Sequence, residues 1–229
     1  NLNKINTFKI FKWLKKNGVS TDFVYKSKDY FSGVAPIFVT PKGENSIVIV
    51  SGANDQLTSE EINKASNEIE KSSYLLCQLE IEVELSLSAL HLAKQLGIST
   101  ILNPAPARST LPDEIYKLTD IFCPNESEAE LLTGRKINAM SDVESMAEEF
   151  ISAGAKSVVI TLGEKGCFVL ANPWCNCYSV STMYGKRVQR KILVLLLDSH
   201  FRCLRSILPH FLLLHKRSRN HRPNKVACR

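Results

Sequence analysis

At 229 residues, with 44% hydrophobic and 23% charged side chains, the chain has the make-up of a globular protein able to bury a core, not of a disordered or fibrous one. Its net charge of +6 is unevenly placed: residues 1–184 carry 17 Lys/Arg against 22 Asp/Glu, whereas residues 185–229 carry 12 against Asp198 alone. Seven cysteines with neither zinc-knuckle nor redox spacing exclude a metal module, and the longest apolar runs, Ile192–Leu197 and Phe211–Leu214, are too short to cross a bilayer.

Apolar residues at Ile5, Phe8, Phe11, Trp13 and Leu14 recur at helical spacing, and Asn17-Gly18 supplies a stop. The chain opens at Asn1 inside that helix, so the expectation is of a piece lacking its N-terminal segment. Two β-branched runs, Ala35–Thr40 and Ser46–Ser51, flank Pro41-Lys42-Gly43-Glu44-Asn45 and predict a hairpin. Beyond it the pattern alternates. Helices are expected over Thr58–Lys71, Val83–Leu96, Ser127–Leu132 and Ser141–Ala153. Strands are expected over Tyr74–Leu79, Ser99–Leu102, Asp120–Cys123, Ser157–Thr161 and Cys167–Ala171. Such alternation predicts a mostly parallel sheet flanked by helices, whose ligands sit beyond the strand carboxyl ends. Cys77 and Cys123, inside apolar strands, read as reduced core thiols, which favours the cytoplasm, with the nucleus as an alternative.

The distinctive loops all follow strands. In VVITLGEKG (158–166), two glycines three apart allow a tight turn, with the Thr161 hydroxyl and Lys165 ammonium available to phosphates; a plain β-turn is the other reading. In NESEAELLTG (125–134), Asn125 and Glu128 stand three apart at a strand-to-helix transition. That spacing suits a helix N-cap with a capping box, and equally an amide meeting a phosphate beside a carboxylate acting through Mg²⁺. NPAPA (103–107) is a rigid turn. Glu80, in CQLE at 77–80, is either an acceptor for sugar hydroxyls or a solvated residue at a strand end.

Together these segments resemble the ribokinase family of ATP-dependent carbohydrate kinases over about residues 1–175. The resemblance implies a ribokinase-like three-layer α/β/α sandwich, incomplete, with 1–180 as a partial kinase domain and the hairpin 32–51 as part of a lid. By the same resemblance, ATP phosphorylates the 5-hydroxyl of D-ribose with Mg²⁺ and a monovalent cation such as K⁺. Glu80 would bind ribose, Asn125 and Thr161, Leu162, Gly163, Glu164, Lys165 and Gly166 would line the ATP site, and Glu128 would act on Mg²⁺ through water. A homodimer through the lid is also implied, with neither nucleic acid nor membrane as partner. Another sugar or nucleoside kinase of the family, or a non-catalytic nucleotide- or partner-binding remnant, stands as the alternative.

The family's Asp-Thr-x-Gly-Ala-Gly-Asp loop, expected shortly after Cys177, is absent, and with it the catalytic base and the K⁺ site. Asp198, in LLLDSHF, has no glycine beside it and is assigned no role. Residues 181–229 therefore read as a non-homologous tail. Pro209 and Pro223 argue against a basic helix for an anionic partner, and translation from a shifted frame accounts better for the change in character than a divergent folded half.

Overall fold

The computed structural model describes residues 2–40, 45–171, 181–183 and 213–216. Helix α1 (Leu2–Lys16) ends in Lys15 and Lys16, cations that suit the negative end of the helix dipole, and buries Leu14. Asn17 Nδ2 donates to Trp13 O at 2.8 Å, covering one of its last carbonyls. Next comes a two-stranded antiparallel ribbon, β1 (Ile37–Val39) with β2 (Asn45–Ile47), extended by a Val34–Val50 bridge. Of the turn expected at 41–45, residues 41–44 lie outside the described residues and Asn45 opens β2. The side chains of β1 stay in solvent: Ile37, Phe38 and Val39 are 59%, 62% and 65% exposed.

The single helix expected over 58–71 is two, α2 (Ser59–Lys64) and α3 (Ser66–Glu70). Thr58 and Glu61 cap α2 with a reciprocal capping box, so the helix starts at Ser59, one residue after the expected Thr58. The break comes at Ala65, whose φ of −84° and ψ of −2° leave helical geometry while its N–H bonds Ile62 O at 3.0 Å.

The remaining elements alternate, as the spacing predicts: β3 (Ser72–Cys77), α4 (Val83–Gln95), β4 (Ser99–Leu102), α5 (Asp113–Lys117), β5 (Ile121–Phe122), α6 (Glu126–Thr133), α7 (Met140–Ala153), β6 (Ser157–Thr161) and β7 (Cys167–Ala171). Two pieces of the region expected to stand apart, β8 (Ser181–Met183) and β9 (Leu213–Lys216), complete the sheet, whose order is β8-β7-β6-β5-β4-β3-β9. Strands β3 to β6 are parallel neighbours; β7, β8 and β9 are added antiparallel. The expected α/β fold with a mostly parallel central sheet is what forms.

Period-two alternation decides which face each strand residue takes. Leu75, Cys77, Leu102, Phe122, Val158, Ile160 and Phe168 join one core with Ile69, Leu90, Ile115, Met146 and Phe150 from the helices. Their strand neighbours Ile101, Val159 and Cys167 fall into two smaller clusters on the opposite face. At the centre Phe122 packs against the rings of Tyr116 and Phe150, each 5.1 Å away, pairings worth about 0.5–1.5 kcal/mol apiece beyond area burial.

At the amino end of the parallel strands, Asp120 Oδ2 accepts from Thr100 N at 2.8 Å. Its Oδ1 meets Lys94 Nζ at 2.6 Å and Lys156 Nζ at 2.7 Å. The Thr100 hydroxyl donates to Leu118 O at 2.6 Å and accepts from Asp120 N at 3.0 Å. Burial alone would raise the Asp120 pKa. The hydrogen bonds from Lys156, Lys94 and Thr100 outweigh it and hold the carboxyl below its ordinary value of 3.8.

Candidate functional site

Four polar positions stand in a row at the opposite, carboxyl end. In strand order they are Thr161 at the end of β6, Asn125 after β5, Asn103 after β4 and Glu80 after β3. One strand spacing is about 4.8 Å, so Glu80 lies roughly 10 Å across the sheet from Asn125.

The Asn125 end is the more tightly built. Thr161 N donates to Pro124 O at 2.9 Å, and an isolated parallel bridge joins Asn125 to Thr161. Asn125 caps α6: its Oδ1 accepts from Glu128 N at 2.8 Å. Glu128 answers through both oxygens, Oε2 accepting from Asn125 N and Oε1 from Asn125 Nδ2, each at 2.8 Å. The capping-box reading is therefore realised in full. Its consequence is that Glu128 is held 5% exposed, with no lysine or arginine bonded to its carboxyl among the described residues. Burial pushes its pKa up from 4.5, and the hydrogen bond from Asn125 only partly restores the charged form.

The glycine turn begins at Thr161. Leu162 N donates to Gly166 O at 2.8 Å, Lys165 N to Leu162 O at 3.0 Å and Gly166 N to Gly163 O at 3.2 Å, closing a compact loop. Gly163 has a φ of +55° and Gly166 a φ of +96° with ψ of −123°, the latter a region that side-chain-bearing residues rarely enter. A Cβ on Gly163 would meet nothing closer than Glu126 Oε2 at 4.0 Å, so the requirement there is conformational, not one of space within the chain. Leu162 is buried and Lys165 exposed; both, with Glu126, Met140 and Val143, line a cleft of about 180 Å³ between the turn and the start of α7. Glu164 belongs to the same turn, in the 3₁₀ segment Gly163–Lys165.

At the other end of the row, Leu79 is buried and Glu80 half-buried where the chain leaves β3. Leu79 N donates to Ala105 O at 2.8 Å and Asn103 N to Cys77 O at 3.0 Å, which straps the NPAPA loop, with its cis Ala105–Pro106 bond, across the end of β3. Among the described residues two polar atoms here have no partner: Asn103 Oδ1 and Arg108 Nε are buried without a hydrogen bond. Sequence reasoning took NPAPA as a turn and missed both side chains; the amide of Asn103 at a strand carboxyl end was the available signal.

Chemically, a glycine turn with an exposed lysine beside a capped helix start suits a phosphate chain. Among the described residues no group of three or more His, Cys, Asp or Glu side chains converges to hold a metal ion. A hydrated Mg²⁺ held mainly by phosphate oxygens and touched by one carboxylate is the arrangement compatible with Glu128, whose two oxygens already accept from Asn125. Asp198 lies outside the described residues.

A family model described as pfkB family carbohydrate kinase matches residues 8–187. The chain is 44% identical over 158 residues to a ribokinase of Mus musculus, an alignment covering 69% of this chain and 49% of the relative. It is 37% identical over 153 residues to a deoxyribokinase of Salmonella typhi, covering 67% and 50%. Among solved structures, the ribokinase of Giardia lamblia superposes with a TM-score of 0.67 at 28% identity, over 77% of this chain and 55% of that one. The chain thus spans about half the length of the curated relatives it matches.

Proposed function

The chain belongs to the pfkB family of carbohydrate kinases, and from that premise we propose that it carries the nucleotide-binding side of an enzyme transferring the γ-phosphoryl group of ATP to the 5-hydroxyl of D-ribose. The observation that supports this most is the joint between the capped start of α6, Asn125 with Glu128, and Thr161 at the end of β6, directly ahead of the glycine turn. Thr161–Gly166 and Asn125 receive the phosphates, and Glu128 faces the metal ion through water. Glu80, on the far side of the row, accepts from sugar hydroxyls. When bound, Mg²⁺ offsets phosphate charge; the chain's own part is to orient the phosphates and the sugar. Ribose is favoured over its deoxy analogue by the identity to the mouse ribokinase, with the Salmonella deoxyribokinase close behind.

The sequence has no Asp-Thr-x-Gly-Ala-Gly-Asp loop, the segment to which the resemblance assigns the base for the 5-hydroxyl. Binding without appreciable turnover is therefore the expected behaviour of this chain, and normal ADP release on ribose would contradict that. The exposed apolar residues of β1, Ile37, Phe38 and Val39, favour a homodimer formed through the ribbon.

Titration of ATP–Mg²⁺ into the full chain tests the reading. Asn125→Ser is the informative variant, because serine caps a helix about as well as asparagine while withdrawing the amide. Saturable binding that this variant weakens about tenfold or more, with an unchanged melting temperature, supports the nucleotide site. Absence of binding in a folded sample would sink it.

A further inference from the structure

Asn103 Oδ1 and Arg108 Nε are buried side-chain atoms without a hydrogen bond, and both belong to one six-residue loop. That loop is held against the end of β3 by Asn103 N to Cys77 O and Leu79 N to Ala105 O. Arg108 Nη2 reaches Leu79 O at 3.5 Å, which sets the guanidinium beside the residue preceding Glu80. The two orphaned atoms are of opposite sense, an acceptor and a donor. An anion would suit Arg108 and leave the Asn103 oxygen unsatisfied; a cation would suit Asn103 and be repelled by Arg108. A hydroxyl both donates and accepts, so a polyol satisfies the two together.

We infer that the loop Asn103–Arg108 forms a second side of the sugar pocket next to Glu80, with Asn103 Oδ1 accepting from one substrate hydroxyl and Arg108 Nε donating to another. The inference deepens the sugar-kinase reading and rests on it. Asn103 and Arg108 are substrate-positioning residues in this arrangement, and they take no part in holding the nucleotide.

The test is calorimetric titration of D-ribose, and separately of ATP–Mg²⁺, into the full chain and into its Asn103→Leu and Arg108→Met variants, with melting temperatures taken in the absence of ligand. Each variant is expected to bind D-ribose about tenfold more weakly or worse, while its ATP affinity stays within about twofold. Asn103→Leu should melt no lower than the native chain, because it removes an unsatisfied buried acceptor. Unchanged ribose affinity in both variants overturns the inference. So does a joint fall in ribose affinity, ATP affinity and melting temperature, the signature of a merely structural role. A native chain that binds ATP and no sugar overturns the inference and leaves the nucleotide site standing; one that binds neither sinks the sugar-kinase reading and the inference with it.

Discussion

Two carboxylates mark the two ends of the parallel sheet. Asp120, at the amino end, is met by two lysines and a backbone N–H, and its pKa lies below the ordinary value. Glu128, at the carboxyl end, is buried more completely, is met only by the neutral groups of Asn125, and its pKa lies above. One end is electrostatically finished and anchors β4, β5, α4 and the approach to β6. The other holds a carboxylate without a cation, together with the unpartnered Asn103 and Arg108 atoms. Polar groups left incompletely paired in a folded chain mark the end that awaits a ligand, which here coincides with the carboxyl ends where α/β sheets bind.

The largest expected effect that tests this contrast is at the finished end. Asp120→Asn withdraws a charge that three donors share, at a side chain 17% exposed, and should cost about 2–3 kcal/mol in urea unfolding at neutral pH. Because the Asp120 pKa is depressed on folding, its contribution is fully present above the unfolded value near 3.8 and is lost as pH falls through the lower folded value. The variant should therefore lose less stability than the native chain on acidification below that point.

Next in size, Gly166→Ala forces a side chain into a φ of +96° and should cost about 1–2 kcal/mol while weakening ATP binding. An unaltered melting temperature would show that the turn adapts. A smaller change is expected for Glu128→Gln: the glutamine oxygen can still accept from Asn125 N, but its amide nitrogen cannot accept from Asn125 Nδ2. For Glu128 the sign is reversed: its raised pKa costs the folded state stability above 4.5, and that cost shrinks as pH falls through the folded value. Relief of the burial cost and loss of one hydrogen bond offset each other, so the variant should stay within about 1 kcal/mol of the native chain at neutral pH, yet bind ATP less dependently on Mg²⁺. An unchanged Mg²⁺ dependence would mean that Glu128 is a cap and nothing more. Smallest of all, Phe38→Ser, at a side chain 62% exposed, should shift stability by no more than about 0.5 kcal/mol and lower self-association in sedimentation.

The strand and helix sequence was legible where periodicity ran long or turn signals were sharp. Ser99–Leu102, Ser157–Thr161 and Cys167–Ala171 match their strands residue for residue, and α7 begins one residue before the expected Ser141. Helix α5 escaped notice because five residues are too few for a period, although Pro112 followed by Asp113 and Glu114 is a start signal. The break at Ala65 carries no glycine or proline to announce it. Asn125 and Glu128 were recognisable as a pair because capping boxes are local; both of the readings open for them concern the same three-residue spacing. Asn103 and Arg108 were not recognisable, because whether a polar atom finds a partner depends on strands that meet only in the folded sheet.

The edge strand β9 has a consequence for the order of assembly. It pairs antiparallel with β3, matching Leu75 to Leu214 and Leu76 to Leu213, so the first strand of the large sheet takes the last as its neighbour. Contacts between positions so far apart in sequence form late, because the intervening loop must first be closed at an entropic cost. During synthesis β3 can therefore dock on β4 as soon as both have emerged, but its other flank stays open until the rest of the sheet has been translated. For as long as that takes, the row of backbone groups on Ser72–Cys77 is available to whatever reaches it first.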